Sequence, residues 1–275
     1  MTDQPAIRDA LRAARQQIDS LDAHVLLGEV LGVDRAYLIA HPETELTGEQ
    51  AERFAQWVAR CAAGEPVAYI LGRRAFYDRD FMVTPDVLIP RPETELLLEQ
   101  ALAWTPRFPS NVADVGTGSG ALAVTFAAHR PQSHVYAIDI SPKALEVASA
   151  NAQRYNVGVT FYRGDLLMPL IERGIKLDVI LANLPYIASD EVPQLAVSRY
   201  EPTLALDGGA DGLALIRRLL DQIPQVAHPG TLILLEIGAG QGSAALALVQ
   251  EKLSPQRAEL ILDYAGLDRI IRVEL

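Results

Sequence analysis

One glycine-rich segment constrains the fold of this 275-residue chain more than any other feature. The segment consists of Gly116, Thr117, Gly118, Ser119 and Gly120. It follows a short apolar segment, Asn111–Val115, and it leads into an alanine-rich segment, Ser119–His129, with which it shares its last two residues. Glycine lets the backbone turn tightly and approach a ligand within van der Waals contact, and free amides at a helix start can bind a carboxylate or a phosphate. The sequence therefore predicts a strand, a ligand-binding loop and a helix, in this order.

The chain alternates strands and helices from about residue 93 to its end. Further strands are predicted at His134–Asp139, Val159–Tyr162, Asp178–Ala182, Thr231–Ile237, Glu259–Leu262 and Ile270–Val273, with helices after Ser141 and at Gly212–Ile223 and Gln241–Leu253. This alternation is typical of the α/β class, in which a mostly parallel sheet carries helices on both faces. Ligands of such sheets bind at the carboxyl ends of the strands, where the strand order reverses.

Residues before this region show a different pattern. The first 64 or so residues have helical spacing only, and Thr47 and Gln50 form a predicted capping box at the start of a helix that ends near Gly64. Aromatic and β-branched residues around Tyr77–Asp80 predict a β-hairpin, and the two prolines of Ile89–Pro92 predict a stiff connector. We therefore expect a helical domain at 1–66, a hairpin and connector at 67–91, and an α/β domain at 92–275.

A second candidate ligand-binding residue, Asp139, ends the second predicted strand of the α/β domain. A carboxylate at this position can accept hydrogen bonds from both hydroxyl groups of a ribose. The glycine loop and Asp139 together fit a nucleotide-containing cofactor. They do not separate dinucleotide oxidoreductases from S-adenosylmethionine (AdoMet) methyltransferases, because the loop also satisfies the dinucleotide fingerprint.

The segment that separates these two classes follows the predicted strand Asp178–Ala182. It consists of Asn183, Leu184, Pro185 and Tyr186, and it places an amide, backbone carbonyls and an aromatic ring where the reactive end of the cofactor must point. The nitrogen of an amide or an aromatic amine is a poor nucleophile, because its lone pair is delocalised. The Asn183 side-chain oxygen and the Leu184 carbonyl can accept its two N–H bonds and stabilise the positive charge that develops during methylation. Tyr186 can pack on the flat face of the acceptor and align it.

Composition excludes several classes of protein. Apolar residues make up 49% of the chain, which is enough to form a core, and the apolar runs are too short for a membrane span. The single cysteine, Cys61, excludes a disulfide framework and fits a reducing cytosol. The polar first residues lack the apolar segment of a secretory signal. We therefore expect a cytoplasmic protein. Lys and Arg total 24 against 35 Asp and Glu, and the net charge of −11 disfavours general binding of nucleic acid.

These motifs, taken together and in order, resemble the N5-glutamine methyltransferases that modify peptide chain release factors. The resemblance extends over nearly the whole chain and is carried by the helical part, Leu88–Glu95, Gly116–Gly120, Asn183–Tyr186, Tyr200–Pro202, Gly208–Leu213 and Leu235–Gly238. It implies transfer of a methyl group from AdoMet to the glutamine amide of the Gly-Gly-Gln motif in a release factor, with S-adenosylhomocysteine as the product. It also implies a class I methyltransferase fold: a Rossmann-like domain with a seven-stranded, mostly parallel sheet, preceded by a small helical domain and a β-hairpin linker.

The resemblance implies further roles and one departure. Asp165 would accept from the adenine amino group and Leu166 would cover the ring, Asn183 would border the cofactor as well as the substrate, and the helical domain would help to hold the release factor. Leu184 stands where the family usually has proline, but the family uses this residue through its backbone carbonyl, which leucine also has. We expect no metal, no membrane and a monomer, and the roles of Arg91 and Glu93 stay open.

Three alternatives remain at this stage. A related N-methyltransferase acting on a ribosomal-protein glutamine or on nucleic-acid adenine would bind its acceptor nitrogen at Asn183–Tyr186 in the same way. The negative charge of the chain disfavours adenine in nucleic acid. An NAD-dependent oxidoreductase would share the glycine loop but would leave Asn183–Tyr186 unexplained. A non-catalytic AdoMet-binding scaffold is conceivable only because of Leu184.

Overall fold

The structure is a computed structural model that describes residues 4–104 and 110–275, so residues 1–3 and 105–109 of the predicted domains lie outside the described residues. The chain divides into two compact units, Met1–Gly72 and Arg73–Leu275. The predicted helical domain falls in the first unit, and the predicted α/β domain falls in the second.

The regular elements of the first unit are helices, and one isolated β-bridge joins Ala6 to Glu45. Its helices are α1 (Ile7–Ala14), α2 (Ser20–Leu31), α3 (Arg35–Ala40), α4 (Gly48–Ala62) and α5 (Val67–Leu71). The capping box predicted at the start of α4 is present: the Thr47 hydroxyl accepts from the Gln50 amide at 3.2 Å, and the Gln50 side chain accepts from the Thr47 amide at 2.9 Å. The apolar faces of the helices meet in one core that includes Ile7, Leu26, Leu27, Leu38, Phe54 and Ile70.

Helix α5 differs from the sequence interpretation, which assigned residues 67–91 to a hairpin and its connector. Tyr69 and Ile70 favour a strand by residue type, yet both are buried in this helix. The helix follows Pro66 and ends at Gly72, whose φ of 69° closes it in a left-handed conformation. Packing of the helix therefore overrides local β propensity. The hairpin itself begins after Gly72 and consists of β1 (Arg73–Phe76) and β2 (Arg79–Met82), paired antiparallel.

The second unit contains one seven-stranded sheet. Its strands are β3 (Asn111–Val115), β4 (His134–Asp139), β5 (Val159–Arg163), β6 (Val179–Ala182), β7 (Leu232–Glu236), β8 (Arg257–Leu262) and β9 (Asp268–Glu274). The strand order is β5-β4-β3-β6-β7-β9-β8, with β3 to β7 parallel and β9 antiparallel to both of its neighbours. This confirms the predicted α/β class with a seven-stranded, mostly parallel sheet, preceded by helices and a two-stranded hairpin.

Helices cover both faces of this sheet and bury its apolar strands. They are α6 (Glu93–Trp104), α7 (Ala121–His129), α8 (Pro142–Arg154), α9 (Met168–Ile171), α10 (Ala214–Val226) and α11 (Gly242–Leu253), and three short 3₁₀ turns lie at Val192–Gln194, Ala196–Arg199 and Thr203–Ala205. Helix α8 begins as predicted, with Ser141 capping the Ala144 amide and Pro142 in the first turn. Two core clusters, one on each face, hold the sheet between the helix layers.

The strand order determines where a ligand can bind. The chain leaves β3 toward β4 and β5 on one side and returns to β6 and β7 on the other side. The order therefore reverses next to β3, and the loops after β3, β4 and β6 meet at this point.

Two further properties limit the kinds of site. None of the helices in residues 4–104 and 110–275 is long and apolar enough to cross a membrane. In the same part of the chain, no group of three or more His, Cys, Asp or Glu side chains is arranged to hold a metal ion.

Candidate functional site

A cleft opens at the carboxyl ends of the parallel strands, where the order reverses, and has a volume of about 250 Å³. It brings together most of the residues that the sequence singled out: Gly116, Thr117, Gly118, Ser119, Asp139, Asp165, Leu166, Asn183, Leu184 and Pro185. Gly120 and Tyr186 do not line it. Gly120 instead precedes α7 and packs closely against Ala148 of α8.

The glycine loop and Asp139 form one hydrogen-bonded unit. The backbone amides of Gly116 and Thr117 donate to the Ile138 carbonyl at 2.8 and 3.0 Å. One Asp139 carboxylate oxygen accepts from the Gly118 amide and the other from the Ser141 amide, both at 2.9 Å. Burial raises the pKa of Asp139, and these amides oppose the rise. The carboxylate is thus held at the cleft with lone pairs left for a ligand.

Asp114, the last but one residue of β3, is a cleft residue that the sequence analysis did not single out. It is buried, and its Oδ2 atom accepts from the Thr117 hydroxyl at 2.6 Å and from the Ala123 amide at 3.1 Å. Burial raises the pKa of Asp114 to about 6 although both hydrogen bonds lower it. A cationic group in the cleft would favour the ionised form. Its place two residues before the glycine loop was the signal in the sequence that could have identified it.

Asp165 and Leu166 lie in the loop after β5 and line the same cleft. Leu166 is buried and has a positive φ of 53°. The Asp165 carboxylate forms an ion pair with Arg218 of α10, which also lines the cleft. Any ligand group that donates to Asp165 therefore shares this carboxylate with a guanidinium.

Asn183, directly after β6, has a defined orientation. Its side-chain nitrogen Nδ2 donates to the hydroxyl oxygen of Thr94 in the first turn of α6, at 2.9 Å. Both residues line the cleft. Because the nitrogen is committed to Thr94, the side-chain oxygen Oδ1 is the end left to accept a hydrogen bond.

Leu184 uses its side chain for packing. It is only 4% exposed and belongs to the core cluster that includes Val115 and Leu213. One of its methyl groups lies 3.0 Å from the position that a Cβ at Gly116 would take. No hydrogen bond of the Leu184 amide occurs among the described residues. The Leu184 side chain therefore packs against the glycine loop at Gly116.

Tyr186 does not line the cleft and is half-buried. Its ring approaches Gly238 closely, and the side-chain amide of Gln241 donates to its carbonyl at 2.9 Å. Burial, followed by the charge of Glu236, raises the pKa of Tyr186 to about 12. Tyr186 follows Asn183 by three residues but does not line the cleft, and its predicted stacking on an acceptor group stays a prediction.

The segment after Tyr186 is held by a glycine-rich segment, Gly208–Leu213. The Gly208 amide donates to the Ile187 carbonyl at 2.8 Å, and the Ser189 amide donates to the Gly209 carbonyl at 3.0 Å. A Cβ atom at Gly212 would lie 2.2 Å from the Tyr186 carbonyl oxygen, and Gly212 has a φ of 73°. Only glycine permits this approach of the two backbones.

The proline-rich connector forms another wall of the cleft. Leu88, Pro90 and Arg91 line it together with Pro202. The buried Glu201 carboxylate accepts from the Arg91 guanidinium at 2.5 Å and from the Ile89 amide at 3.2 Å. Arg91 therefore has a structural partner that its position in the sequence did not reveal.

Two family models match the chain. The model described as PrmC N-terminal domain matches residues 6–72, and the model described as Methyltransferase small domain matches residues 92–200. The chain is 44% identical over 276 residues to a release factor glutamine methyltransferase of Moorella thermoacetica, covering 98% of this chain and 97% of the relative. It is 38% identical over 263 residues to the enzyme of the same name from Bacillus anthracis, covering 94% and 93%.

Solved structures share the fold at low sequence identity. The catalytic domain of human Mettl16 in complex with an RNA hairpin has a TM-score of 0.56 at 13% identity, covering 80% of this chain and 81% of that one. A Thermus thermophilus 16S rRNA methyltransferase in complex with AdoMet and guanosine has a TM-score of 0.54 at 18% identity, covering 74% and 50%. These similarities show the class I methyltransferase fold alone.

Proposed function

The chain belongs to the release factor glutamine methyltransferases, and from this membership we propose that it methylates the side-chain amide of the glutamine in the Gly-Gly-Gln motif of a peptide chain release factor, with AdoMet as the methyl donor. The observation that carries the proposal is the orientation of Asn183. Its nitrogen is committed to Thr94, so its oxygen is available to accept an N–H bond of a substrate amide in the cleft.

The residues of the cleft fit AdoMet. The Asp139 carboxylate, held by the Gly118 and Ser141 amides, would bind the ribose hydroxyls, and Leu166 would cover the adenine. The buried Asp114 carboxylate would accept the cationic amino group, whose charge would oppose the rise in pKa that burial causes. A Cβ at Gly118 would meet no atom within 4 Å, so the loop is open to a ligand at this point.

When bound, AdoMet supplies an electrophilic methyl group on a sulfonium. Transfer of this methyl group to the substrate nitrogen would break its carbon–sulfur bond and leave the electron pair of that bond on sulfur. The nitrogen then loses one proton to water. Asn183 Oδ1 and the Leu184 carbonyl accept the two N–H bonds, so they stabilise the positive charge on nitrogen as it grows. Tyr186 would limit the position of the amide from behind.

The helical unit would recognise the protein substrate, as expected for residues 1–66. Leu21 and Val25 of α2 are 55% and 42% exposed, and they lie four residues apart, on one face of the helix. Exposed apolar side chains at helical spacing are suited to a protein partner. The net charge of −11 supports a partner other than nucleic acid. We further propose that the chain acts as a monomer in the cytoplasm, which sedimentation of the purified protein would test for its oligomeric state.

The test is incubation of the purified chain with isotope-labelled AdoMet and a purified release factor. Mass spectrometry of the Gly-Gly-Gln peptide should show one added methyl group on the glutamine. A release factor in which this glutamine is replaced by alanine is the matched control. Parallel reactions with ribosomal proteins and with DNA test the alternatives, and label in either of these but not in the release factor would contradict the proposal.

A further inference from the structure

Glu236, the last residue of β7, is a buried carboxylate. It is 1% exposed, and in the described part of the chain no group forms a hydrogen bond of good geometry to either of its oxygens, so the Thr94 hydroxyl, which acts on it, is its candidate donor. A buried polar group that is left unpaired is costly, so a protein retains one only where it has a role. The nearby cation Arg269 is committed elsewhere, because its guanidinium binds the Asp263 carboxylate and the Ile237 carbonyl.

The Thr94 hydroxyl connects this carboxylate to the cleft. Thr94 is 5% exposed, and its oxygen accepts from Asn183 Nδ2 at 2.9 Å. The same hydroxyl acts on the Glu236 carboxylate and favours its ionised form. Since the oxygen of Thr94 is engaged by Asn183, its proton is free to point toward Glu236.

The direction of this proton decides which end of the Asn183 amide faces the substrate. A hydroxyl that points its proton at Asn183 would bind the amide oxygen and turn the NH₂ group into the cleft. An ionised carboxylate can only accept, and Glu236 is ionised above its pKa of about 7, so at higher pH it draws the Thr94 proton to itself and leaves Thr94 as an acceptor toward Asn183. The amide oxygen then faces the cleft, where a substrate N–H needs an acceptor.

We propose that Thr94 and Glu236 are positioning residues that act in series to hold the Asn183 side-chain oxygen toward the substrate amide. This inference rests on the proposed function. It assigns a role in the transfer step to two residues that touch neither the reacting nitrogen nor the methyl group. Glu236 acts on Asn183 through Thr94, so the two residues should not contribute independently.

The kinetic test compares Thr94→Val, which keeps the shape of threonine without the hydroxyl, with Thr94→Ser, which keeps the hydroxyl. Loss of one preorganised hydrogen bond at a site of developing charge costs about a hundredfold or more, and misorientation of the acceptor should cost part of this. We expect the single-turnover rate on a release factor to fall about tenfold to a hundredfold in Thr94→Val and to stay within about threefold in Thr94→Ser. The KM for the release factor and the Kd for AdoMet should stay near the wild-type values in both variants, whereas a general packing defect would alter them.

A double-variant cycle tests whether the two residues act in series. Glu236→Gln should slow transfer as well, because an amide can both donate and accept and no longer fixes the direction of the Thr94 proton. Thr94→Val combined with Glu236→Gln should be no slower than Thr94→Val alone. Multiplied losses, or an unaffected Thr94→Val, would overturn the inference.

Nuclear magnetic resonance tests the same inference without activity. The side-chain amide signal of Asn183, assigned by its loss in Asn183→Ala, should shift in Thr94→Val and stay near its wild-type position in Thr94→Ser. An unchanged signal in Thr94→Val would overturn the inference even if the enzyme is active. Failure of the wild-type chain to methylate a release factor would instead contradict the proposed function, while the amide signal would still decide the positioning role.

Discussion

Arg91 and Glu201, which are 110 residues apart in the sequence, form an ion pair at 2.5 Å that ties the proline-rich connector to the segment that begins the 3₁₀ turn at Thr203. The Glu201 side chain is 1% exposed and the Arg91 side chain is 33% exposed. Both flanking segments line the cleft. The pair therefore determines the separation of two cleft walls.

We expect Arg91→Ala to destabilise the chain, because it leaves the Glu201 carboxylate buried with the Ile89 amide as its one remaining donor among the described residues. Removal of one partner of a buried pair costs about 3–5 kcal/mol, and the partial exposure of Arg91 should place the loss at the lower end or below. Denaturant unfolding measures this loss. Lys252→Ala, which breaks an exposed ion pair with Asp221, is the matched control and should change the stability much less. Equal losses in the two variants would contradict a structural role for the Arg91 pair.

Asn183→Ala and Leu184→Pro should differ strongly in their effect on the rate of methyl transfer. Asn183→Ala removes the acceptor aimed at the developing charge, and the single-turnover rate on a release factor should fall about a hundredfold to a thousandfold with little change in AdoMet affinity. Leu184→Pro keeps the backbone carbonyl and removes no amide hydrogen bond among the described residues, so its rate should stay within about tenfold, or ~1.4 kcal/mol of barrier. Normal turnover of Asn183→Ala, or Leu184→Pro restoring a wild-type chain that is inactive, would refute this account.

Asp139→Ala should weaken AdoMet binding. Two ribose hydroxyls would lose a charged acceptor, and the Gly118 amide would lose the partner that fixes the loop. Hydrogen bonds to charged groups contribute about 1.5–3 kcal/mol, so the Kd should rise about tenfold to a hundredfold. Isothermal calorimetry measures this change. Asp221→Ala, on the exposed face of α10, is the control, and a wild-type Kd in folded Asp139→Ala would remove this residue from the cofactor site.

The stability of the chain should depend on pH through Glu236. Burial raises its pKa from 4.5 to about 7, and the charged or titratable groups that act on it are Arg269, Glu93 and Arg91; it acts in turn on Tyr186. The folded state holds this proton more tightly than the unfolded state, so its stabilising contribution is full below pH 4.5 and is lost as the pH rises through 7. Glu236→Gln should therefore be more stable than the wild type at pH 8, by an amount on the order of 2–3 kcal/mol.

Denaturant unfolding of wild type and Glu236→Gln between pH 5 and 8 measures this difference. The difference should shrink as the pH falls toward 5. Asp114 carries a raised pKa in both proteins, so its contribution cancels in the comparison. A difference that does not vary with pH would contradict the prediction. If Glu236→Gln is both more stable and slower in methyl transfer, the chain sacrifices stability for activity at this residue.

The exposed face of α2 should affect recognition of the protein substrate and leave the chemistry unchanged. Leu21→Gln with Val25→Gln should raise the KM for a release factor about threefold to tenfold, which is ~0.7–1.4 kcal/mol of lost contact. The kcat should stay near the wild-type value, and a short Gly-Gly-Gln peptide should be methylated as before. Leu267→Gln, at a similarly exposed leucine of the second unit, is the matched control. Equal KM values in the two proteins would argue against recognition by this face.

Local patterns were sufficient to predict much of the fold. The capping box of Thr47 and Gln50, the serine cap of α8 and the glycine loop each depend on residues within a few positions of one another, and the structure contains all three. The α/β alternation likewise predicted the seven-stranded sheet. Helix α5 was wrongly included in the hairpin segment, because the apolar contacts of Ile70 with the helical core are not visible in its local sequence.

The candidate site was only partly predictable. Its glycine loop, Asp139 and Asn183 follow strand ends, and such positions can be identified from the sequence alone. The partners that orient them cannot. Thr94 precedes Asn183 by 89 residues, and Glu201 follows Arg91 by 110, so only the fold reveals these hydrogen bonds.

The contact between Gly212 and the Tyr186 carbonyl limits how this enzyme can be altered. Because backbone touches backbone, no side chain can be introduced at Gly212 without displacing the loop that carries Asn183. Libraries for new acceptor substrates should therefore leave Gly208–Leu213 unchanged and vary positions whose side chains line the cleft, such as Leu204 and Leu215. The same contact predicts that a substitution at Gly212 would impair methyl transfer, although residue 212 itself does not contact the substrate glutamine.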